Sequence, residues 1–204
     1  MTRATSGDRA SWPGPGTGAD RTAALPPRDF AVLLPPGWAR IPLDARENAR
    51  AAAIAAQKTS GLSEPERSQV RDKLARMIRS ALREARSAGG IDVLLSLAER
   101  DGIPLAASCL ISYLDQGQEV PLDMLTADLA AKGGSAELTK LAADIPAVRR
   151  RYAEDGITRV DYFLPIPGRP TGFLVMAFGT PMEPLADALV FLFDAIAQSL
   201  RWLS

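Results

Sequence analysis

The alternation of apolar and polar positions becomes regular at Asp29, and each change of period marks a new element. Phe30, Val32 and Leu34 recur at every second position, the spacing of a half-buried strand. Pro35-Pro36-Gly37 then demands a turn, because proline fixes φ and glycine accepts a positive φ. Trp38 to Ile41 resumes an extended path, so a short strand pair is expected at the start of the domain. A helix is predicted from an Asp44 cap to about Lys58, with Gly61 interrupting the pattern. Ser63-Glu-Pro-Glu66 reads as a second helix start, a serine cap with an early proline and a glutamate three residues on. Val70, Leu74, Met77, Ile78 and Leu82 then form the apolar face of an amphipathic helix over 64–88, ended by Gly89-Gly90.

Beyond the glycines the period returns to two. Residues 91–97 alternate, Asp101-Gly102 supplies a turn, and Leu105, Ala107, Cys109, Ile111 and Tyr113 share one face of a further strand. Leu110 and Leu114 on its other face mark this strand as central and covered on both sides. A short helix opens at Pro121, buries Leu122, Leu125 and Leu129, and stops at Gly133-Gly134. Residues 136–153 stay open between two readings: Glu137 to Ala142 continues the helix, or the chain is already extended, with Val148 to Tyr152 as an edge strand. Residues 157–166 and 173–178 are rich in β-formers and read as a hairpin joined by Pro167 to Gly172. The last element is a long amphipathic helix over 181–203, with Met182, Leu185, Leu189, Phe193, Ile196, Leu200 and Leu203 on one face. Val190, Phe191 and Leu192 widen that face. Strands clustered between helices with hairpin links imply an α+β fold, an antiparallel sheet packed by helices.

Composition narrows the function classes. Residues 1–28 are rich in Gly, Pro, Ser, Thr, Ala and Arg with one aromatic side chain, Trp12, so they read as a disordered tail ahead of one domain over 29–204. Trp12 is either solvated or a short docking anchor. Lys+Arg and Asp+Glu are equal at 24 each, which gives no net field toward nucleic acid or an anionic membrane. There is no histidine and one cysteine, Cys109. Histidine-based nucleophile arrangements, His-Glu-x-x-His zinc sites and cysteine-rich metal sites are therefore excluded. No phosphate-binding loop occurs, and Gly14-Pro-Gly16-Thr-Gly18 has no strand before it. One thiol, no secretory leader and no long apolar run point to a cytoplasmic protein without cofactor or metal.

The remaining candidates are surfaces. Cys109 among apolar neighbours reads as a buried small hydrophobe rather than a reactive thiol. Glu119, Asp123 and Asp128 flank the short helix, but the last two are five apart and do not share a face. Arg71, Arg79 and Arg83 lie on the polar side of helix 64–88, where an arginine-bearing face meets an acidic partner or is simply solvated. Arg149-Arg150-Arg151 is the densest positive cluster, and on a strand only Arg149 and Arg151 share a face. Without aromatic platforms beside them these arginines do not suit nucleic acid, and Tyr152, Tyr162 and Phe163 read as core or cross-strand pairs.

Phe30-x-x-x-x-Pro35-x-Gly37-Trp38 resembles the opening of PsbP-like domains. Val160 to Pro167, Phe178-Gly-Thr-Pro181, and Leu192 to Ile196 through Arg201-Trp202 resemble a group of actinobacterial proteins. The resemblance spans about residues 29–203 and implies an α/β/α sandwich around an antiparallel sheet. It also implies a binding or assembly role, with no catalytic signature among its motifs. The expectation is a non-catalytic adaptor that holds a protein partner through the sheet edge or the arginine-bearing helix. The alternative is a small-ligand carrier, or an enzyme working with Arg, Asp/Glu, Ser/Thr and Tyr from a pocket between sheet and helix.

Overall fold

The structure is a computed structural model that describes residues 29–203, apart from residues 62, 65, 101 and 102. The tail over 1–28 with Trp12, the helix-opening role of Pro65 and the Asp101-Gly102 turn therefore lie outside the described residues. In chain order the elements are β1 (Phe30–Ala31), β2 (Trp38–Pro42), α1 (Glu47–Lys58), α2 (Glu66–Ser87), β3 (Gly90–Ser96), β4 (Glu99–Arg100) and β5 (Ile103–Pro104). Then come β6 (Ser108–Asp115), α3 (Leu122–Ala131), β7 (Ser135–Leu141), β8 (Ile145–Glu154), β9 (Ile157–Ile166), β10 (Arg169–Thr180), α4 (Ala186–Gln198) and β11 (Arg201–Trp202).

Seven strands form one antiparallel sheet in the order β2-β3-β6-β10-β9-β8-β7. Its two faces are divided between the helices. On one face Leu94, Cys109, Ile111, Tyr162, Leu164, Leu174, Met176 and Phe178 pack against Leu189, Phe193, Ile196 and Leu200 from α4 and its exit. Phe178 stacks on Phe193 at 5.0 Å between ring centres, and Trp38 meets Phe193 edge-on at 6.5 Å. Each such side chain removed from water contributes roughly 1.5–3 kcal/mol, which makes this the main core. The opposite face is shared: α1 and α2 cover β2 and β3 through Ile41, Ala51, Ile54 and Leu82, and α3 covers β7 to β10 through Leu125, Leu129, Val148, Phe163 and Phe173. Arg86, in the last turn of α2, reaches buried Glu47 in the first turn of α1 at 2.8 Å and fixes the two helices to each other.

The α+β class and the antiparallel sheet are as the periodicity implies, and β6 is an inner strand with Cys109 buried. Several local expectations are corrected. The first two strands do not pair with each other; β1 joins β11, and β2 joins β3. Asp44 does not cap α1: its side chain accepts the Arg46 N–H at 2.7 Å and the Arg50 guanidinium, and the helix begins three residues later at Glu47. Glu137 to Ala142 is not helix. Gly133 and Gly134 (φ 93° and 86°) reverse the chain after α3, and 135–141 becomes a strand despite its helix-forming Glu, Leu and Lys. Val148 to Tyr152 is extended as read, but β8 lies between β7 and β9 and is not the edge. The hairpin between β9 and β10 is shorter than Pro167 to Gly172, since β10 already starts at Arg169, with a register shift between Arg169 and Phe173. The carboxyl-terminal helix is also shorter than 181–203, because Ser199 and the β1–β11 pairing stop it after Gln198. Phe191 does not widen its buried face but is 78% exposed.

Candidate functional site

The candidate arginines do not converge. Arg149 and Arg151 project from β8 toward α4, whereas Arg71, Arg79 and Arg83 sit on α2 across the sheet. Trp12 lies outside the described residues. Arg149 is the most constrained of them. Its Nε donates to Asp194 Oδ1 at 3.0 Å, its Nη2 to Asp194 Oδ2 at 3.2 Å and its Nη1 to Glu137 at 3.1 Å. Tyr162 donates its hydroxyl to the same Asp194 Oδ1 at 2.5 Å. Burial works against the Arg149 charge, but the bonds to Asp194 and Tyr162 outweigh it and raise its pKa. Burial and the adjacent Asp194 carboxylate push the Tyr162 hydroxyl up in the same direction. Arg151 pairs with Asp187 at 2.5 Å. Both arginines therefore tie α4 to the sheet, Arg149 from a partly buried position and Arg151 through an exposed pair.

Arg150 points to the other face. It lies 4.1 Å over the Tyr152 ring and donates to the Lys132 and Gly133 carbonyls, closing the carboxyl end of α3. Tyr152 lies near Asp161, which is 1% exposed with its Oδ1 unpartnered. Burial raises the Asp161 carboxyl to about 6, partly offset by Tyr152, Arg150 and Arg159. Burial and the Asp161 charge likewise push Tyr152 up to about 12. A strand reading of Val160-Asp-Tyr-Phe could have flagged this acid, since a charge among β-formers that faces a covered side must be buried. Cys109, on the α4 face, is raised well above the usual thiol range by burial, the inert state expected of it.

What remains open is one side of α2. Leu74, Ala75, Ile78 and Leu82 face the protein, but Val70 and Met77, expected on the buried stripe, are 46% and 61% exposed. The β2–β3 end of the sheet is too narrow to cover the whole stripe. The helix carries seven cations against three acids. Arg71 and Arg79 are both half-buried, and of the two only Arg71 is in an ion pair, with Asp72 at 3.5 Å. Arg76, Arg79 and Arg83, at i, i+3 and i+7, share a side and take part in no ion pair among the described residues. Arg76, which takes the place of Arg71 in this set, was not singled out by the sequence, because the partner of each arginine depends on which way the helix rolls onto the sheet.

Two clefts open on the surface of the described residues. One of about 420 Å³ lies between the end of α1 and the β2–β3 strands, where Lys58 donates to the Leu97 carbonyl and pairs with Glu99 at 2.8 Å. The other, of about 470 Å³, lies at the start of α3 between Pro121, Leu122, Pro165 and Phe173. Asp161, the one carboxylate raised by burial among the described residues, lines neither of them. Asp123 and Glu119 do not form a carboxylate pair with Asp128, whose partner is Lys132 at 2.7 Å. Among the described residues no cluster of three or more acids or thiols could hold a metal ion, and no helix is long and apolar enough to cross a membrane. No protein-family model matches the chain, and no curated protein matches it either.

Proposed function

We propose that this protein is a non-catalytic binding or assembly factor that holds an acidic protein partner on α2. The observation that carries the reading is that α2 presents Arg76, Arg79 and Arg83, without ion pairs among the described residues, on one flank and exposed Val70 and Met77 on the opposite flank, while Arg149 and Arg151 are engaged elsewhere. Cations on one flank and apolar side chains on the other suit an acidic partner that embraces the helix, with the apolar contacts supplying affinity and the charges orientation. The resemblance to PsbP-like domains supports a binding role through fold alone. The test is affinity capture from source-organism lysate with the full-length protein and with the combined Arg76→Glu, Arg79→Glu, Arg83→Glu variant. One protein retained stoichiometrically by the first and lost by the second is the expected result. Equal retention by both, or retention by neither, overturns the reading.

The 470 Å³ cleft favours a second reading, a small-ligand carrier, because its size falls in the range of ligand sites and its walls are largely apolar. Native mass spectrometry of protein purified from its source distinguishes the two. A bound small molecule, lost when Leu122→Arg fills the cleft, favours the carrier.

A further inference from the structure

We propose that β7 is a self-association edge, and that two copies of this chain join their sheets antiparallel about a two-fold axis at Leu138. The inference is independent of the partner reading for α2. β7 is the terminal strand of the sheet, and its seven residues pair with β8 in unbroken register from Ser135↔Arg151 to Leu141↔Ile145. It contains no proline and no bulge, two of the devices that protect an edge from further pairing. Its charges are already engaged, Glu137 with Arg149 and Lys140 with Asp144. Leu138, at its centre, is 59% exposed. The opposite edge is different: β2 has five residues and ends at Pro42, which has no N–H to donate.

A row of outward backbone groups specifies a strand as occupant, and side-chain complementarity specifies this one. In an antiparallel two-fold pair, opposite residues share a face, so the axis must pass through a residue position. An axis at Glu137 sets two carboxylates against each other. An axis at Thr139 sets Leu138 against Lys140 of the second copy. Centred on Leu138, the pairs are Leu138 with Leu138, Ala136 with Lys140, Glu137 with Thr139 and Ser135 with Leu141. No like charges meet, and the exposed leucines cover each other. The helices fit as well. α3 lies over β7 and β8, so strand spacing places its two copies roughly 10 Å apart, an ordinary helix packing distance. α4 packs chiefly over β9 and β10 and touches β7 only at its end, where Gln198 donates to the Lys140 carbonyl at 3.3 Å.

The test uses the full-length protein. Leu138→Cys places two thiols at the axis, where antiparallel Cα separations of roughly 4.5–5.5 Å lie within disulfide reach. Native Cys109 is buried and does not compete. Under mild oxidation Leu138→Cys is expected to run as a covalent dimer on non-reducing gels, and Thr139→Cys as a monomer. Sedimentation velocity should show a concentration-dependent dimer for the wild type, with Leu138→Lys raising its dissociation constant at least about tenfold at unchanged circular dichroism. A wild type that stays monomeric throughout the micromolar range overturns the proposal. So does a Thr139→Cys variant that cross-links as readily as Leu138→Cys, or a Leu138→Lys variant that dimerises unchanged.

Discussion

Arg149 of β8 grips Asp194 of α4 at two points, Nε on one carboxylate oxygen at 3.0 Å and Nη2 on the other at 3.2 Å. The fork joins a strand near the sheet edge to the helix that covers the main core. Tyr162 shares the acceptor, so removing the carboxylate strands two partly buried donors at once. Asp194→Ala should destabilise the protein by about 1–2 kcal/mol, the cost of leaving the Arg149 Nε and the Tyr162 hydroxyl without their acceptor while Arg149 keeps its pair with Glu137. Asp187→Ala, which breaks the exposed bridge to Arg151 one helical stretch away, should cost less than about 0.5 kcal/mol. Urea unfolding of the two variants at equal slope makes the comparison; similar losses would mean that the fork is no stronger than a surface pair.

Asp161 sets a pH dependence of unusual sign. Its carboxyl titrates at about 6 in the folded protein, above the usual carboxylate value, so the folded state binds its proton more tightly than the unfolded one. The associated stability is fully present below the unfolded pKa and is lost as pH rises through the folded pKa. Asp161→Asn removes this loss. The variant should gain on the wild type between pH 4 and pH 7.5 by up to about 3 kcal/mol, from roughly two pKa units. Denaturant midpoints measured across that range should diverge upward for the variant, and parallel curves would refute the assignment.

Arg40 protects a second buried acid. Its Nη2 meets Asp92 at 2.6 Å on β3, and its guanidinium lies 4.7 Å above the Phe30 ring. Arg40→Ala should cost about 3 kcal/mol, because Asp92 stays buried without its partner. Arg40→Leu/Asp92→Leu should recover much of the loss, since two apolar side chains need no counter-charge. A double variant no better than the single one in thermal denaturation would show that the charge pair itself is required.

Gly134 allows the reversal that turns α3 into β7. It has a φ of 86°, and a Cβ there would run into the Arg151 carbonyl and Tyr152 Cβ. Gly134→Ala should therefore destabilise by about 2 kcal/mol or more, combining backbone strain with a backbone clash. Gly133→Ala, at a similar φ but with open space around it, should cost less. Hydrogen exchange should show the loss first in β7, and protection unchanged there would contradict this role.

The sequence was most informative where cause and effect are close together. Ser63 donates its hydroxyl to the Glu66 carboxylate at 2.8 Å at the start of α2, and Gly89-Gly90 follows its end. Leu125 and Leu129 are buried as their spacing requires, and Cys109 is the small buried hydrophobe its neighbours imply. In the candidate site, Arg79 and Arg83 were legible on the polar side of α2, but Arg149 was not legible as a structural residue. Its role depends on Asp194, forty-five positions away and on another element.

The amino-acid sequence by itself determined the α+β class, most element positions and the absence of histidine and multi-cysteine chemistry. These follow from side-chain period, turn residues and composition, which act within a few residues or not at all. Tertiary structure alone decided that β1 pairs with β11, that Ser135 to Leu141 is an edge strand, and that Val70 and Met77 stay in water. It also decided that Asp161 is buried. Each of these outcomes is settled by a competition between distant segments for the same backbone hydrogen bonds or the same apolar surface. The winner of that competition is a property of the whole packing arrangement, and local propensity, as the helix-forming residues of β7 show, yields to it.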